Sequence, residues 1–482
     1  MTRFHALYIA VLLIFVIGIY AALQQGQKLR VAVTGLQNPQ ASFSTQPEHS
    51  GLDPAASLFI NLRENIQDPL ARFFVQLILI VLAARVCGSL IRRVGQPAVI
   101  GEMLAGLVLG PSLLGWIWPG FFHFVFPTSS LGTLRLLSQV GVCLFMFVIG
   151  MELDLGHLKL QARTAVIVSQ VSIIFPYMLG VLASLFLFTS LATPHTTFLA
   201  FALFIGISMS ITAFPVLARI LEERGLTKTP LGATAIACAA IGDVIAWTIL
   251  AFVVAIAKAD RLYFSILTIA LVLAFVGFMC FWVKPRIPRL LNYSWVENNS
   301  PSRGVMGAVL VFVFGSAFIT DVIGIHALFG AFLAGVVMPS HGAFRNSLKE
   351  RLEHFSSVFL LPLFFAFTGL RTQIGLLNDA SGWMICAALI LVATVGKLGG
   401  ATIAARVTGV NWLDSFALGA LMNTRGLIEL IALNIGYDLG ILSPRIFAML
   451  VLMALVTTGM TGPLLTLVEC LRMKRRLIAR AA

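Results

Sequence analysis

Charge is the scarcest commodity in this sequence. Only 11% of its 482 residues are Asp, Glu, Lys or Arg, against roughly 25% in soluble domains. A soluble protein with 59% hydrophobic residues could bury a core but could not cover it with so few charges. The cysteines are also few. Cys87, Cys143, Cys238, Cys280, Cys386 and Cys470 sit singly in apolar segments, with no C-x-x-C pair, so neither a metal knuckle nor a redox pair is indicated. There is no Walker A motif and no G-x-G-x-x-G after a plausible strand. Nucleotide-driven transport is therefore not expected, no cofactor is called for, and nothing points to an enzyme.

What the sequence has instead is apolar runs, nearly back to back, each about the 20 residues a membrane-spanning helix needs. A first span covers residues 6–24 and reads as a retained helix rather than a cleaved leader. A polar stretch with Pro39, Pro47 and Pro54 follows, so residues 1–24 are taken as an N-terminal helix and 25–69 as an exposed loop. Thirteen further spans are expected at 70–92, 97–114, 131–151, 163–190, 196–220, 229–257, 262–283, 303–323, 325–339, 353–370, 380–407, 414–436 and 443–468, ahead of a short basic tail, 469–482.

The net charge of +13 raises the question of nucleic acid, but the basic residues cluster in short loops, the pattern that orients membrane proteins. With the N-terminus inside and the spans alternating, 21 of the 33 basic residues fall inside and eight outside. Both termini are then cytosolic, and no nucleic-acid partner is implied. Six spans, one linker and six spans also predict two halves inserted with opposite topology. Such inverted repeats build many secondary transporters, with the substrate site at the midplane.

Ionisable groups at bilayer depth are functional candidates by default. Asp243, in Gly242-Asp243-Val244, lies thirteen residues into its span, about 20 Å from the end. A buried carboxylate can hold a proton or offer hard oxygen ligands to a small cation, and one group that takes either but not both suffices for exchange. Lys397, mid-span in Val395-Gly396-Lys397-Leu398-Gly399-Gly400, needs a partner. Asp243 is the natural one, in a bridge that is either opened by the cation or permanent. Arg425 and Glu429 share a helix face at i, i+4 and read as mutually neutralising. Glu102 reads as interfacial. Asp321 and His326 read as structural, since one Asp and one His make a weak metal signal. No metal beyond the transported cation is expected.

Two spans have polar, helix-breaking centres. One is Ser208-Met209-Ser210-Ile211-Thr212-Ala213-Phe214-Pro215, where Pro215 cannot donate and disfavours helix at Phe214. The other is Asn423-Thr424-Arg425-Gly426. Non-helical backbone at this depth is tolerated only where protein or a cavity surrounds it. Ser208, Ser210, Thr212, Asn423 and Thr424 are thus candidates to line a transport site.

At these residues the chain resembles the second cation:proton antiporter family, which includes CHX-type exchangers and Kef-type potassium efflux systems, with the CHX branch nearer. The likeness rests on QPAVIGEMLAGLVLGPSLLG from Gln96, LFMFVIGMELDL from Leu144, SMSITAFPVLARIL from Ser208, AAIGDVIAW from Ala239, IHALFGAFLAGVVMP from Ile325, LPLFFAFTGLRT from Leu361 and NTRGLIELIALNIG from Asn423. The resemblance implies an all-α, Na+/H+ antiporter-like fold with two crossed, broken helices, and a homodimer in a bacterial inner membrane. It implies a scaffold, about 70–151 and 303–370, against which a core, about 163–257 and 380–468, moves as an elevator. It implies Asp243 as the carboxylate binding the monovalent cation or proton and Lys397 as the core lysine. The family places Asn, Asp or Gln where this chain has Gly242, which leaves ion selectivity open. A gated cation channel, or an exporter of a larger organic cation or a metabolite–cation complex, remains the alternative.

Overall fold

The computed structural model describes residues 68–152, 162–194, 196–258, 262–287, 303–339 and 342–481. The expected first helix and nearly all of the 25–69 loop lie outside these residues. Every one of the thirteen expected spans is represented by a helix. Among the described residues, eleven helices are long and apolar enough to cross a membrane and two apolar ones are shorter.

The chain runs as α1 (Pro69–Arg93), α2 (Ala98–Leu109), α3 (Leu131–Glu152), α4 (Ala162–Leu191), α5 (Phe198–Ser210), α6 (Phe214–Glu223), α7 (Pro230–Lys258) and α8 (Leu262–Gly277). It continues as α9 (Arg303–Ile323), α10 (Ala327–Val336), α11 (Gly342–Phe355), α12 (Leu361–Leu370), α13 (Ala380–Thr394), α14 (Gly400–Val407), α15 (Trp412–Met422), α16 (Leu427–Asp438) and α17 (Pro444–Ala481). The ends obey local chemistry. Asp68 accepts from Leu70 N–H at the start of α1, and Asn411 accepts from Asp414 N–H at the start of α15. Differences from the expected spans have local causes too. The second span stops at Leu109 because Gly110 turns extended ahead of Pro111. The ninth is only ten residues long because Gly324, at φ 100°, turns the chain sharply between α9 and α10. The basic tail continues α17 to Ala481.

The principal helix contacts fall into two groups. In one, α1 packs on α2, α2 on α12, α3 on α10 and α12, and α9 on α10. In the other, α4 packs on α5, α7, α13 and α14, α15 on α7, α14 and α17, and α16 on α5 and α17. Each group draws on both halves of the chain. The linker α8 meets α7 from one group and α9 from the other, and α17 reaches across to α2.

Charged residues at or near helix ends meet at two ends. At one, Asp438 pairs with Arg135 (3.0 Å) and with Arg371, and Arg445 pairs with Asp379. At the other, Arg219 lies 3.9 Å from Glu102, Arg224 donates to Thr466 and to the Gly462 carbonyl, and Arg472 pairs with Asp414. Each pair joins residues that alternating spans assign to the same side.

Lipid-soluble helices associate through small residues that let backbones touch. α2 and α12 cross this way. A Cβ on Gly369 would sit 2.0 Å from the Gly106 carbonyl carbon, and one on Gly106 would sit 2.2 Å from the Phe365 oxygen. Because the obstacle is backbone on both sides, Gly369→Ala is expected to cost about 1–3 kcal/mol and to lower the thermal midpoint in detergent. An unchanged midpoint would show that the crossing is looser than described.

Candidate functional site

The two interrupted spans are the most enclosed of the eleven long helices. In the first, α5 ends at Ser210, Ile211 to Ala213 are extended, and α6 begins at Phe214. Pro215 sits in the first turn of α6, where a missing N–H costs nothing. In the second, α15 ends at Met422 and α16 begins at Leu427. Here the break rests on Gly426, whose φ of 155° and ψ of −124° no side-chain-bearing residue adopts readily. A Cβ there would also press Val216 at 2.9 Å.

The two breaks cross and satisfy one another. Ala213 N–H donates to the Thr424 carbonyl at 3.1 Å, and the Thr212 hydroxyl donates to the Met422 carbonyl at 3.1 Å. Arg425 reaches over the crossing. Its Nη1 donates to the Ser208 carbonyl and its Nη2 to the Met209 carbonyl, each at 2.6 Å, and Nη1 lies 3.1 Å from Glu429 Oε1. A guanidinium therefore sits on the C-terminal, negative end of α5 while its carboxylate partner lies in the first turn of α16, both favourable for the helix dipoles. The expected mutual neutralisation of Arg425 and Glu429 is present, with both side chains fully buried.

The serines expected to line the break serve α5 itself. Ser208 donates to Phe204 O and Ser210 to Ile207 O. Thr424 likewise donates to Leu421 O. Asn423 donates to Thr457 O at 3.4 Å, and Thr458 accepts from Arg425 N–H at 2.9 Å. Thr461 donates to Ala420 O. The threonines of α17 thus hold the second break in place. They were not singled out from sequence, although three hydroxyls in Val456-Thr457-Thr458-Gly459-Met460-Thr461 fall on one helical face of an otherwise apolar span and carried the signal.

Asp243, on α7, is 1% exposed. Phe214 N–H, at the positive end of α6, lies near its carboxylate without closing a hydrogen bond. Neither carboxylate oxygen has a hydrogen-bond partner among the described residues. Lys397 is also fully buried and occupies a π-helical turn, Val395–Gly399, between α13 and α14. The expected Asp243–Lys397 ion pair is not formed. Lys397 Nζ donates instead to Thr212 Oγ1 and to Ser172 Oγ (3.3 Å), while Asp243, Arg425 and Glu429 remain within electrostatic reach. The ammonium's nearest acceptors are hydroxyls because the first break brings Thr212 to it and α4 brings Ser172.

The remaining candidates lie apart. Glu102 is buried on α2 and faces Arg219. Asp321 is exposed, and His326 Nδ1 accepts from Leu328 N–H to cap α10. Among the described residues no group of three or more metal-ligating side chains assembles.

A family model described as a transmembrane sodium/hydrogen exchanger matches residues 78–468. The chain belongs to that family. It is 43% identical over 390 residues to the Na(+)/H(+) antiporter NhaS4 of Synechocystis sp., a match covering 80% of this chain and 95% of the relative. Cation/H(+) antiporter 17 of Arabidopsis thaliana is 40% identical over 400 residues, 83% of this chain and 48% of its own length. The K(+)/H(+) antiporter 1 of Saccharomyces cerevisiae is 35% identical over 417 residues, 84% of this chain and 47% of its own. The chain thus spans about half of these two. The antiporter MjNhaP1 of Methanocaldococcus jannaschii shares the fold, with a TM-score of 0.60 at 12% identity over 83% of this chain and 99% of that one. The likeness read from the seven sequence stretches is borne out, and these relatives are antiporters, not enzymes.

Arg425 holds two α5 carbonyls and one carboxylate in a region without solvent. Arg425→Leu is expected to cost about 3–5 kcal/mol, since it leaves Glu429 buried and uncompensated. Glu429→Gln, which keeps the guanidinium on the carbonyls, is expected to cost clearly less. Thermal unfolding in detergent compares them, and equal midpoints would show that the carbonyl contacts do not matter.

Proposed function

We propose that this antiporter exchanges Na+ or K+ for H+ at Asp243, alternating the site between the two sides by an elevator movement. The observation that carries the reading is the Asp243 carboxylate. It is buried, lies beside the crossing of two broken helices and, among the described residues, has neither a hydrogen bond nor a basic side chain within ion-pair distance. An ionised carboxylate left so would cost several kcal/mol. A proton or a bare cation removes that cost, and one carboxylate cannot take both, which is the requirement for coupled exchange. The enclosure of Asp243, Lys397 and Thr424 favours a small ion over an organic cation.

The elevator reading draws on the two packing groups. The group of α1–α3, α9, α10 and α12 serves as scaffold, and α4–α7 with α13–α17 as the mobile core. Between them, Trp247 of α7 stacks on Phe332 of α10 at 6.0 Å, an apolar contact that can slide. At the end read as external, Asp438 of the core is clamped by Arg135 and Arg371 of the scaffold. Asn434 accepts from Arg371 at 3.0 Å, and the guanidinium lies 4.6 Å from the Tyr437 ring and 4.8 Å from the Phe367 ring. At the opposite end a cavity of about 430 Å³ separates Gln96 and Arg92 of the scaffold from Ile220 and Glu223 of the core. Beside that cavity the two groups also touch, through Arg219 with Glu102 and through Gln96 Nε2, which donates to the Gly459 carbonyl at 3.0 Å. Cytosolic termini rest on the 21 inward basic residues and a cytoplasmic membrane on the resemblance. The homodimer rests on the resemblance; the exposed stripe Leu70, Phe74, Ile78, Leu82, Val86 and Leu90 along α1 is an apolar face open to lipid or to a second copy.

Asp243→Asn, nearly isosteric but unable to exchange a proton, is expected to abolish cation-driven pH changes in liposomes while the protein still folds. Wild-type rates would overturn the assignment. With Glu429 held by Arg425 and residue 242 a glycine, one carboxylate is available and the cycle is expected to be electroneutral. A pH gradient that shifts with a potential imposed by valinomycin and potassium, with Na+ as test ion, would rule that out. For the elevator, a bifunctional thiol reagent joining cysteines in an Arg135→Cys, Asp438→Cys variant is expected to stop exchange, and reductive release to restore it. Full exchange through the crosslinked protein would mean that the core does not move there.

A further inference from the structure

A serine in a helix ordinarily returns its hydroxyl to a carbonyl three or four residues back. Ser184 of α4 does so, donating to Gly180 O at 2.9 Å. Ser169 of the same helix does not. Its hydroxyl is buried and has no hydrogen-bond partner among the described residues. It faces α7 instead, where its oxygen lies 3.5 Å from the point a Cβ on Gly242 would occupy. Three residues on, Ser172 accepts from Lys397 Nζ. The two serines share a helix face, so that face of α4 looks onto the layer holding Gly242, Asp243 and Lys397. Ile173, 3.9 Å from the same Cβ point, closes the space with carbon.

We propose that Ser169 determines cation specificity: its hydroxyl oxygen, exposed to the site by the missing side chain at Gly242, helps to bind the dehydrating monovalent cation beside Asp243. This rests on Asp243 being the binding carboxylate. A carboxylate supplies at most two oxygens, and a bare monovalent cation needs more, from neutral groups or its last water molecules. Selectivity follows the number and field strength of those oxygens. A serine hydroxyl meets the need either way, through a lone pair towards the cation or its O–H towards a retained water. At a site with a longer polar residue at 242, that residue would screen Ser169. Here it does not, and the unsatisfied hydroxyl is retained although a buried unmet polar group is unfavourable.

The test compares wild type, Ser169→Ala, Ser169→Thr, Gly242→Ala and Asp243→Asn in liposomes, reading KM and kcat for Na+, K+ and Li+, with melting in cation-free detergent alongside. Ser169→Ala is expected to raise KM about 3- to 10-fold, the worth of one polar contact. It should alter the ratio of KM values among the ions and leave kcat and the pH profile within about twofold. Its melting point should not fall, because an unmet hydroxyl is removed. Ser169→Thr should recover most of the affinity. Gly242→Ala adds a methyl group at ordinary contact distance and should shift KM in the same direction, with the double variant no worse than the sum of the singles. If Ser169→Ala keeps wild-type KM values and ion ratios while Asp243→Asn is inactive, the role of Ser169 is overturned and that of Asp243 stands. If Ser169→Ala melts lower and loses kcat for all ions alike, the serine is structural and the proposal fails. If Asp243→Asn still exchanges, the underlying site is wrong and Ser169 falls with it.

Discussion

Two helices broken at bilayer depth leave backbone groups that water cannot reach, and the rest of the molecule is arranged around satisfying them. Arg425 does the largest share. It answers two carbonyls at the end of α5, carries its own counter-charge in Glu429, and is held by Thr458 of α17. Thr212 and Ala213 answer carbonyls of the other break. With these needs met from within, Asp243 is left over. The proposed exchange site is the carboxylate that these internal pairings leave without a fixed partner among the described residues.

The same logic accounts for Lys397. An ammonium at this depth requires acceptors, and here they are the hydroxyls of Thr212 and Ser172. It remains within electrostatic reach of Asp243 without occupying the carboxylate oxygens. A direct bridge would have to be broken in each cycle. On the proposed assignment, hydroxyl tethering leaves those oxygens open to the transported species.

Much of this was legible in the sequence, for physical reasons. Spans show themselves because a bilayer demands long apolar runs, and the first break because Pro215 cannot donate. The pairing of Arg425 with Glu429 was visible in their i, i+4 spacing, although Arg425 lies in the extended break and not on a helix face shared with Glu429. What was not legible depends on which helix lies beside which. Nothing in the spacing of Ser169, Ser172 and Lys397 says that α4 passes α13, and the sequence therefore offered Lys397 a carboxylate instead of two hydroxyls. Thr457, Thr458 and Thr461 were visible as hydroxyls, but their partners lie more than thirty residues away. The short α10 was read too long because hydropathy registers composition and not the turn that Gly324 imposes.

The reach of Arg425 across the chain bears on how the protein is made. Its guanidinium and the Ser208 carbonyl it serves are 217 residues apart in sequence. At about 5–20 residues per second of synthesis, the end of α5 enters the bilayer roughly 10–40 s before its partner exists. Throughout that interval the nascent first half holds free carbonyls and an uncompensated Asp243 in a region that tolerates neither. Early insertion intermediates must therefore keep the α5–α6 segment near water, in the translocation machinery or at the interface, until α15 arrives. The crossing can therefore close only late in synthesis, when most of the second half of the protein has been made.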